Sequence, residues 1–158
     1  SFHLATIVQP ELHALATATG ESATWYVIEK DQRLCLFRAE PSEGLRETRL
    51  PGTFLPLDNS AIGKVLRCWG RREPLFETQP ELPLFTSGIR DPHIASLSLP
   101  VFGEGDNMLA ALALTGPASR LTEAKRDGGL GKLMKEAAHR LSLKSGARKA
   151  FCDDFYKI

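Results

Sequence analysis

The sequence is poor in several things at once. Its 158 residues include three cysteines, Cys35, Cys68 and Cys152, widely separated. They are odd in number and form no C-x-x-C spacing. That excludes a disulfide framework and a cysteine-built metal or redox centre, so free thiols in a reducing cytoplasm are expected. Neither sign of charge dominates: 20 Lys and Arg against 19 Asp and Glu leave a net charge of +1. The chain as a whole therefore has no strong field for nucleic acid or a membrane surface. No run approaches the roughly 18 apolar residues of a membrane-spanning helix. No secretory leader pattern opens the chain. It starts inside an apolar-rich segment without a Met, as an excised piece of a longer protein would. Internal repeats and low-complexity segments are missing too.

Catalytic signatures are equally sparse. His3, His13, His93 and His139 are dispersed, and no H-x-x-x-H pair exists to hold a metal. Asp153 and Asp154 are adjacent in the terminal stretch, a poor geometry for an acid–base pair. There is no G-x-S-x-G elbow, no G-x-G-x-x-G and no G-x-x-x-x-G-K-[ST]. These gaps move the weight from catalysis to binding, with no cofactor and no metal expected.

What is present suits one soluble globular domain, with 42% apolar and 25% charged residues. The most informative stretch is Asp91–Pro117. Two apolar runs, Ile94–Phe102 and Asn107–Thr115, flank Gly103-Glu104-Gly105-Asp106 and predict an antiparallel hairpin. With Phe102 opposite Asn107, Ile94, Ser96 and Ser98 fall opposite Thr115, Ala113 and Ala111. Alternation then gives one core face: Leu97, Leu99, Val101, Met108, Ala110, Leu112 and Leu114. The other face carries Ser96, Ser98, Ala111, Ala113 and Thr115, framed by Ile94, Phe102 and Leu109. Small, polar and free of charge, it fits either a lined cavity or close packing of another element. A register slip of one residue would swap the faces of one strand.

The remaining elements follow in order. Ile7–Thr19 reads as a helix with Pro10 in its first turn and Gly20 as its stop. Ala23–Glu29 and Arg33–Ala39 form a second hairpin. In its second strand Leu34 and Leu36 share one face, Cys35 and Phe37 the other, so the sheet is expected to be covered on both sides. Leu45–Leu50 is a charged candidate edge strand. Asp58, Asn59 or Ser60 caps a helix whose apolar face is Ile62, Val65, Leu66 and Trp69. Gly63 costs that helix roughly 1 kcal/mol relative to Ala, so something must approach closely there. The free amides of Ser60-Ala61-Ile62 are a candidate carboxylate cradle; the alternative is an ordinary capped helix with Gly63 admitting a neighbouring strand. Prolines 74, 80 and 83 make the next segment irregular, and Phe85–Arg90 holds a short strand. A final helix presents Leu130, Leu133, Met134, Ala137, Ala138 and Leu141, weakened at its start by Gly128, Gly129 and Gly131, and stops at Gly146. Residues 147–158 carry Phe151, Phe155 and Tyr156, and either dock on the domain or pair with another subunit.

Three pieces in this order carry a resemblance: L-A-x-x-T-G-E (Leu15–Glu21), P-L-x-x-S-A-x-G-K-x-L (Pro56–Leu66), and D-P-x-I-A-S-x-S-x-P-V-F followed by A-L-A-L-T-G-P-A-S-R (Asp91–Phe102, Ala111–Arg120). Together they resemble the effector-binding domain of IclR-type bacterial transcriptional regulators, over roughly Ile7 to Gly146. The resemblance implies an α+β, GAF-like domain, with a central antiparallel sheet and helices on both sides. Residues 1–146 would be the effector-binding domain and 147–158 a C-terminal tail. The winged helix-turn-helix that would precede it, and alone would meet operator DNA, is absent from this chain. The partners implied are a small organic effector, often a metabolite carboxylate, and further copies of the chain in a homodimer or homotetramer; no membrane is involved. The family's pocket, carried over by motif position, places an effector carboxylate on the amides of Ala61 and Ile62. Leu55 becomes an apolar wall, and Ile94, Ser96, Ala113 and Thr115 the sheet side. Thr86 falls near a position where some members carry an acidic ligand-binding residue. The chain departs from the pattern at Asp58 and Asn59, where His and a small residue are usual, and at Ile62, which is bulkier. Two other readings stand beside this one: a thiol-dependent enzyme on a GAF-like scaffold, using Cys35 and Cys68, and an effector-blind dimerisation module.

Overall fold

The computed structural model describes residues 2–41 and 52–158; the candidate edge strand Leu45–Leu50 lies outside them. Helix α1 (Phe2–Thr19) starts earlier than its sequence signals suggest, and Pro10 sits within it. Proline there gives up one bond of the helical ladder, and Pro10 is on the exposed side. The buried stripe is Val8, Leu12, Leu15 and Ala16. Strands β1 (Ser22–Glu29) and β2 (Gln32–Ala39) make the first hairpin. The short β3 (Phe54–Pro56) pairs with β2. Helix α2 (Ala61–Val65) runs into a π-helical turn, Leu66–Gly70. Next come β4 (Leu84–Ser87), β5 (Ile94–Phe102) and β6 (Met108–Pro117). A short helix α3 (Glu123–Lys125) leads through a second π-helical turn into α4 (Gly131–Lys144), and α5 (Lys149–Tyr156) follows.

The strands form one antiparallel sheet in the order β3-β2-β1-β6-β5-β4. The two hairpins meet where β1 pairs with β6, Ser22 opposite Thr115 and Tyr26 opposite Ala111. Helices α1 and α4 pack together over one face, and α2 lies against β5 and β6 on the other. Both faces are thus covered, as the two-sided apolar strands predict. Trp25, Leu97, Leu99, Leu112, Leu114, Met134 and Leu141 are fully enclosed.

The central hairpin has a different register from the one read in the sequence. Ser96 faces Thr115 and Ser98 faces Ala113, a slip of two residues. An even slip preserves the alternation, so Ser96, Ser98, Ala113 and Thr115 still share a face. The cause is the turn, which holds Gly103–Asn107 and places Gly105 at φ 71°. An irregularity between Val101 and Phe102 then sets Met108 opposite Phe102 rather than Val101. A bulge of this kind moves one side chain to the other face, and Met108 abuts Gly70 there. A similar irregularity in the first hairpin pairs Cys35 with Tyr26 and Phe37 with Trp25. Cys35 and Phe37 therefore oppose neighbours that point to opposite faces, and do not share one. On α4 the buried stripe is narrower than expected: Met134, Ala137, Ala138 and Leu141 are enclosed, while Leu133 is 39% exposed.

The segment after Gly146 docks on the domain. In α5, Cys152 and Tyr156 are fully buried. The Tyr156 hydroxyl donates to the Pro100 carbonyl at 2.6 Å and lies 2.9 Å from Ser142 Oγ. Phe102 packs edge-on against Phe151 and Phe155.

Candidate functional site

The start of α2 is organised by Asp58. Its Oδ1 accepts from the Ser60 amide at 3.0 Å and from the Ser60 hydroxyl. Ser60 Oγ in turn accepts from the Gly63 amide at 3.1 Å, the N-cap geometry that Ser favours. Gly63 is required because a Cβ there would sit 2.4 Å from the Asp58 carbonyl oxygen. The close approach that the glycine signals is therefore made by its own leading turn and not by a neighbouring strand. The Ala61 amide donates to Thr86 Oγ1 at 2.7 Å, which ties the helix start to β4.

Between this helix start and the sheet lies a pocket of about 220 Å³, room for roughly seven waters at ~30 Å³ each. Its sheet side is Tyr26, Arg33, Thr86, Ile94, Ser96 and Thr115, and its helix side is Ser60 and Ile62. Leu55 of β3 and the loop residues Ile89, Arg90 and Asp91 complete it. Of the residues named from sequence, Leu55, Ile62, Ile94, Ser96 and Thr115 come together in this wall. Ala61 and Ala113 do not line it. Both are fully buried, Ala61 behind the Thr86 bond and Ala113 against Ser98 and Thr24 in the neighbouring strands. Ser96 Oγ and Thr115 Oγ1 are 3.5 Å apart, a loose pair that leaves both hydroxyls capacity for another partner.

Sequence reasoning missed Arg33 and Tyr26. Arg33 is 4% exposed, and its guanidinium lies 5.0 Å from the centroid of the Tyr26 ring, a cation–π distance. Burial pulls its pKa below the ordinary arginine range, while nearby Tyr26 and Asp58 push it back up. Burial likewise raises the Tyr26 phenol. A signal was available: Arg33 has the same strand parity as Cys35, which puts a cation on an inward face.

The cysteines do not converge on this pocket. Cys35 is buried, with its thiol directed at the Phe37 carbonyl. Cys68 lines a separate groove of about 310 Å³, with Trp69, Phe102 and Phe155 among its other walls. Burial raises both thiols above their usual pKa, which disfavours the reactive thiolate. Among the described residues, no group of three or more His, Cys, Asp or Glu could hold a metal ion. No helix among them is long and apolar enough to cross a membrane.

Residues 1–88 match the sequence profile of the family described as the bacterial transcriptional regulator IclR C-terminal. The chain belongs to this family. The IclR C-terminal domain is thus the frame for the pocket. Relatives point the same way. The chain is 35% identical over 71 residues to the DNA-binding transcriptional repressor YiaJ of Escherichia coli, a match covering 44% of this chain and 25% of YiaJ. It is 27% identical over 168 residues to the HTH-type transcriptional regulator BhcR of Paracoccus denitrificans, covering 89% of this chain and 60% of BhcR. The chain thus spans less than two thirds of the length of either relative. The crystal structure of the Thermotoga maritima IclR superposes with a TM-score of 0.72 at 17% identity, covering 92% of this chain and 69% of that one. The antiparallel sheet, six-stranded among the described residues, and its helices are the GAF-like α+β fold of IclR C-terminal domains.

Proposed function

We propose that this chain is the effector-sensing and oligomerising part of an IclR-type transcriptional regulator in the cytoplasm. A small organic effector, a metabolite carboxylate, enters the pocket between the start of α2 and the sheet. The effector-binding residues are Leu55, Ala61, Ile62, Ile94, Ser96, Ala113 and Thr115. Ala61 acts through its backbone amide, once Thr86 releases it, and Ala113 by setting the depth of the sheet beneath the cavity. Binding shifts the arrangement of subunits in a homodimer or homotetramer, and with it the operator affinity of a winged helix-turn-helix outside these residues. An effector moves that equilibrium only as far as its affinities for the two arrangements differ.

The observation that supports this reading is the pocket itself. It brings hydroxyls from β4, β5 and β6 and a capped helix start around one small cavity. The test is a thermal-shift screen with aliphatic and aromatic carboxylates, repeated on Thr115→Val and Ser96→Ala. A ligand at a hundred times its dissociation constant adds about 2.7 kcal/mol, a readable shift. The expected outcome is a hit that either substitution weakens. A hit indifferent to both would move the site elsewhere, and no hit across the panel would leave a module that only assembles.

A further inference from the structure

One charged group in the pocket has unfinished hydrogen bonding. Arg33 Nε is shielded from water and has no hydrogen-bond partner. Its Nη2 is 3.8 Å from Asp58 Oδ2, too far for a hydrogen bond, and Asp58 Oδ2 is itself without a hydrogen-bond partner. Desolvating a guanidinium and leaving it half-paired is unfavourable.

The same molecule closes such pairs elsewhere. Arg120 holds Glu21 through Nε and Nη2, both at 2.9 Å. Arg140 holds Glu11 through the same two atoms at 2.7 and 3.0 Å. In each, a carboxylate fills the Nε–Nη2 edge bidentately, the strong geometry for this pairing. At Arg33 the equivalent edge is unfilled; it faces Asp58, with Nε closed to solvent, while the residue itself lines the cavity. Asp58 does not close on it because its other oxygen is committed to Ser60 and its backbone is locked against Gly63.

We infer that Arg33 binds the carboxylate of the effector, its guanidinium turning from Asp58 into the cavity so that this edge opens, with Asp58 as a built-in competitor. The inference rests on the carboxylate-sensing reading above and moves the charged contact away from the helix-start amides, where the Ala61 N–H already has Thr86. A carboxylate at Arg33 leaves the rest of the molecule facing the Ser96 and Thr115 hydroxyls. The ligand class is therefore a compact acid bearing a hydroxyl or carbonyl oxygen.

Calorimetric titration of the chain with lactate, pyruvate and benzoate, each against its neutral amide, tests this. The parent chain should prefer the acids. Arg33→Met should weaken the acids by roughly 10- to 100-fold, the size of a lost charge-assisted hydrogen bond, and leave the amides unchanged. Arg33→Lys should recover part of the loss. Asp58→Asn keeps an acceptor for Ser60 and removes the competing charge, so it should tighten the acids severalfold. An Arg33→Met chain with native near-ultraviolet dichroism and an intact preference for acids overturns the inference. If Arg33→Met does not fold, Asp58→Asn decides, and weaker acid binding there overturns it as well. Thr86→Val frees the Ala61 N–H. Tighter acid binding in that variant, together with indifference to Arg33, places the carboxylate at the helix start; the sensing reading then stands and this inference falls. No binding by any acid defeats both.

Discussion

Tyr156 shows how one side chain holds a distant segment in place. Its phenol is fully buried, with its pKa raised by that burial, and it bonds both the Pro100 carbonyl and Ser142. Ser142 Oγ also accepts from the Phe102 amide at 3.0 Å. Tyr156→Phe keeps the ring and strands the Pro100 carbonyl. The expected loss is about 1–3 kcal/mol, the cost of an unsatisfied buried polar group, read from the urea midpoint at unchanged slope. An unaltered midpoint would mean that water replaces the hydroxyl. At this scale the sequence was readable for hydroxyls and opaque for charge. Ser96 and Thr115 stood out because small polar residues on an apolar hairpin are unusual. Arg33 did not, because an arginine beside a turn resembles any solvated end. Its burial depends on β3 and Asp58 arriving from elsewhere in the chain.

At the scale of elements, period-2 and period-3.6 patterns located the two hairpins and the main helices and missed the three-residue β3. They located the faces better than the register. The slip in the β5–β6 hairpin came from turn geometry, which side-chain alternation does not encode, and the faces survived only because the slip was even. The bulge at Phe102 carried Met108 across the sheet, and no local signal marked it. The terminal segment was ambiguous because an aromatic amphipathic helix suits a subunit interface as well as a parent domain. Its packing here gives a prediction. A chain ending at Gly146 uncovers Phe102 and the Ser142 hydroxyl, so it should melt lower and bind more of an apolar dye than the full chain. Equal melting temperatures would show that α5 adds nothing to the domain.

At the scale of the whole molecule, the outermost strands of the sheet among the described residues are β3 and β4, of three and four residues. Short edges limit uncontrolled pairing yet leave backbone groups available for a specific partner. With a net charge of +1, copies of the chain repel one another little. We expect self-association, and sedimentation at tens of micromolar should show a dimer or tetramer; a monomer there would count against the assembly reading. The order of the longer elements was legible from sequence because strand and helix periods are local; the α+β class followed from the family resemblance. The strand order was not, because it depends on which edges meet after collapse.

The junction of β1 with β6 has a temporal consequence. On the flank of β1 away from β2, residues 22–26 pair with residues 111–115, so the centre of the sheet joins two ends of the synthesis. A nascent chain that has emerged only to the end of β4 holds β1 and β2 with one flank unpaired and α1 without α4. Such a chain must wait, exposing apolar surface, until Pro117 clears the ribosome. Closing a loop of that length before any central contact forms predicts slow, late and concerted folding. For this domain the unit of folding is nearly the whole chain.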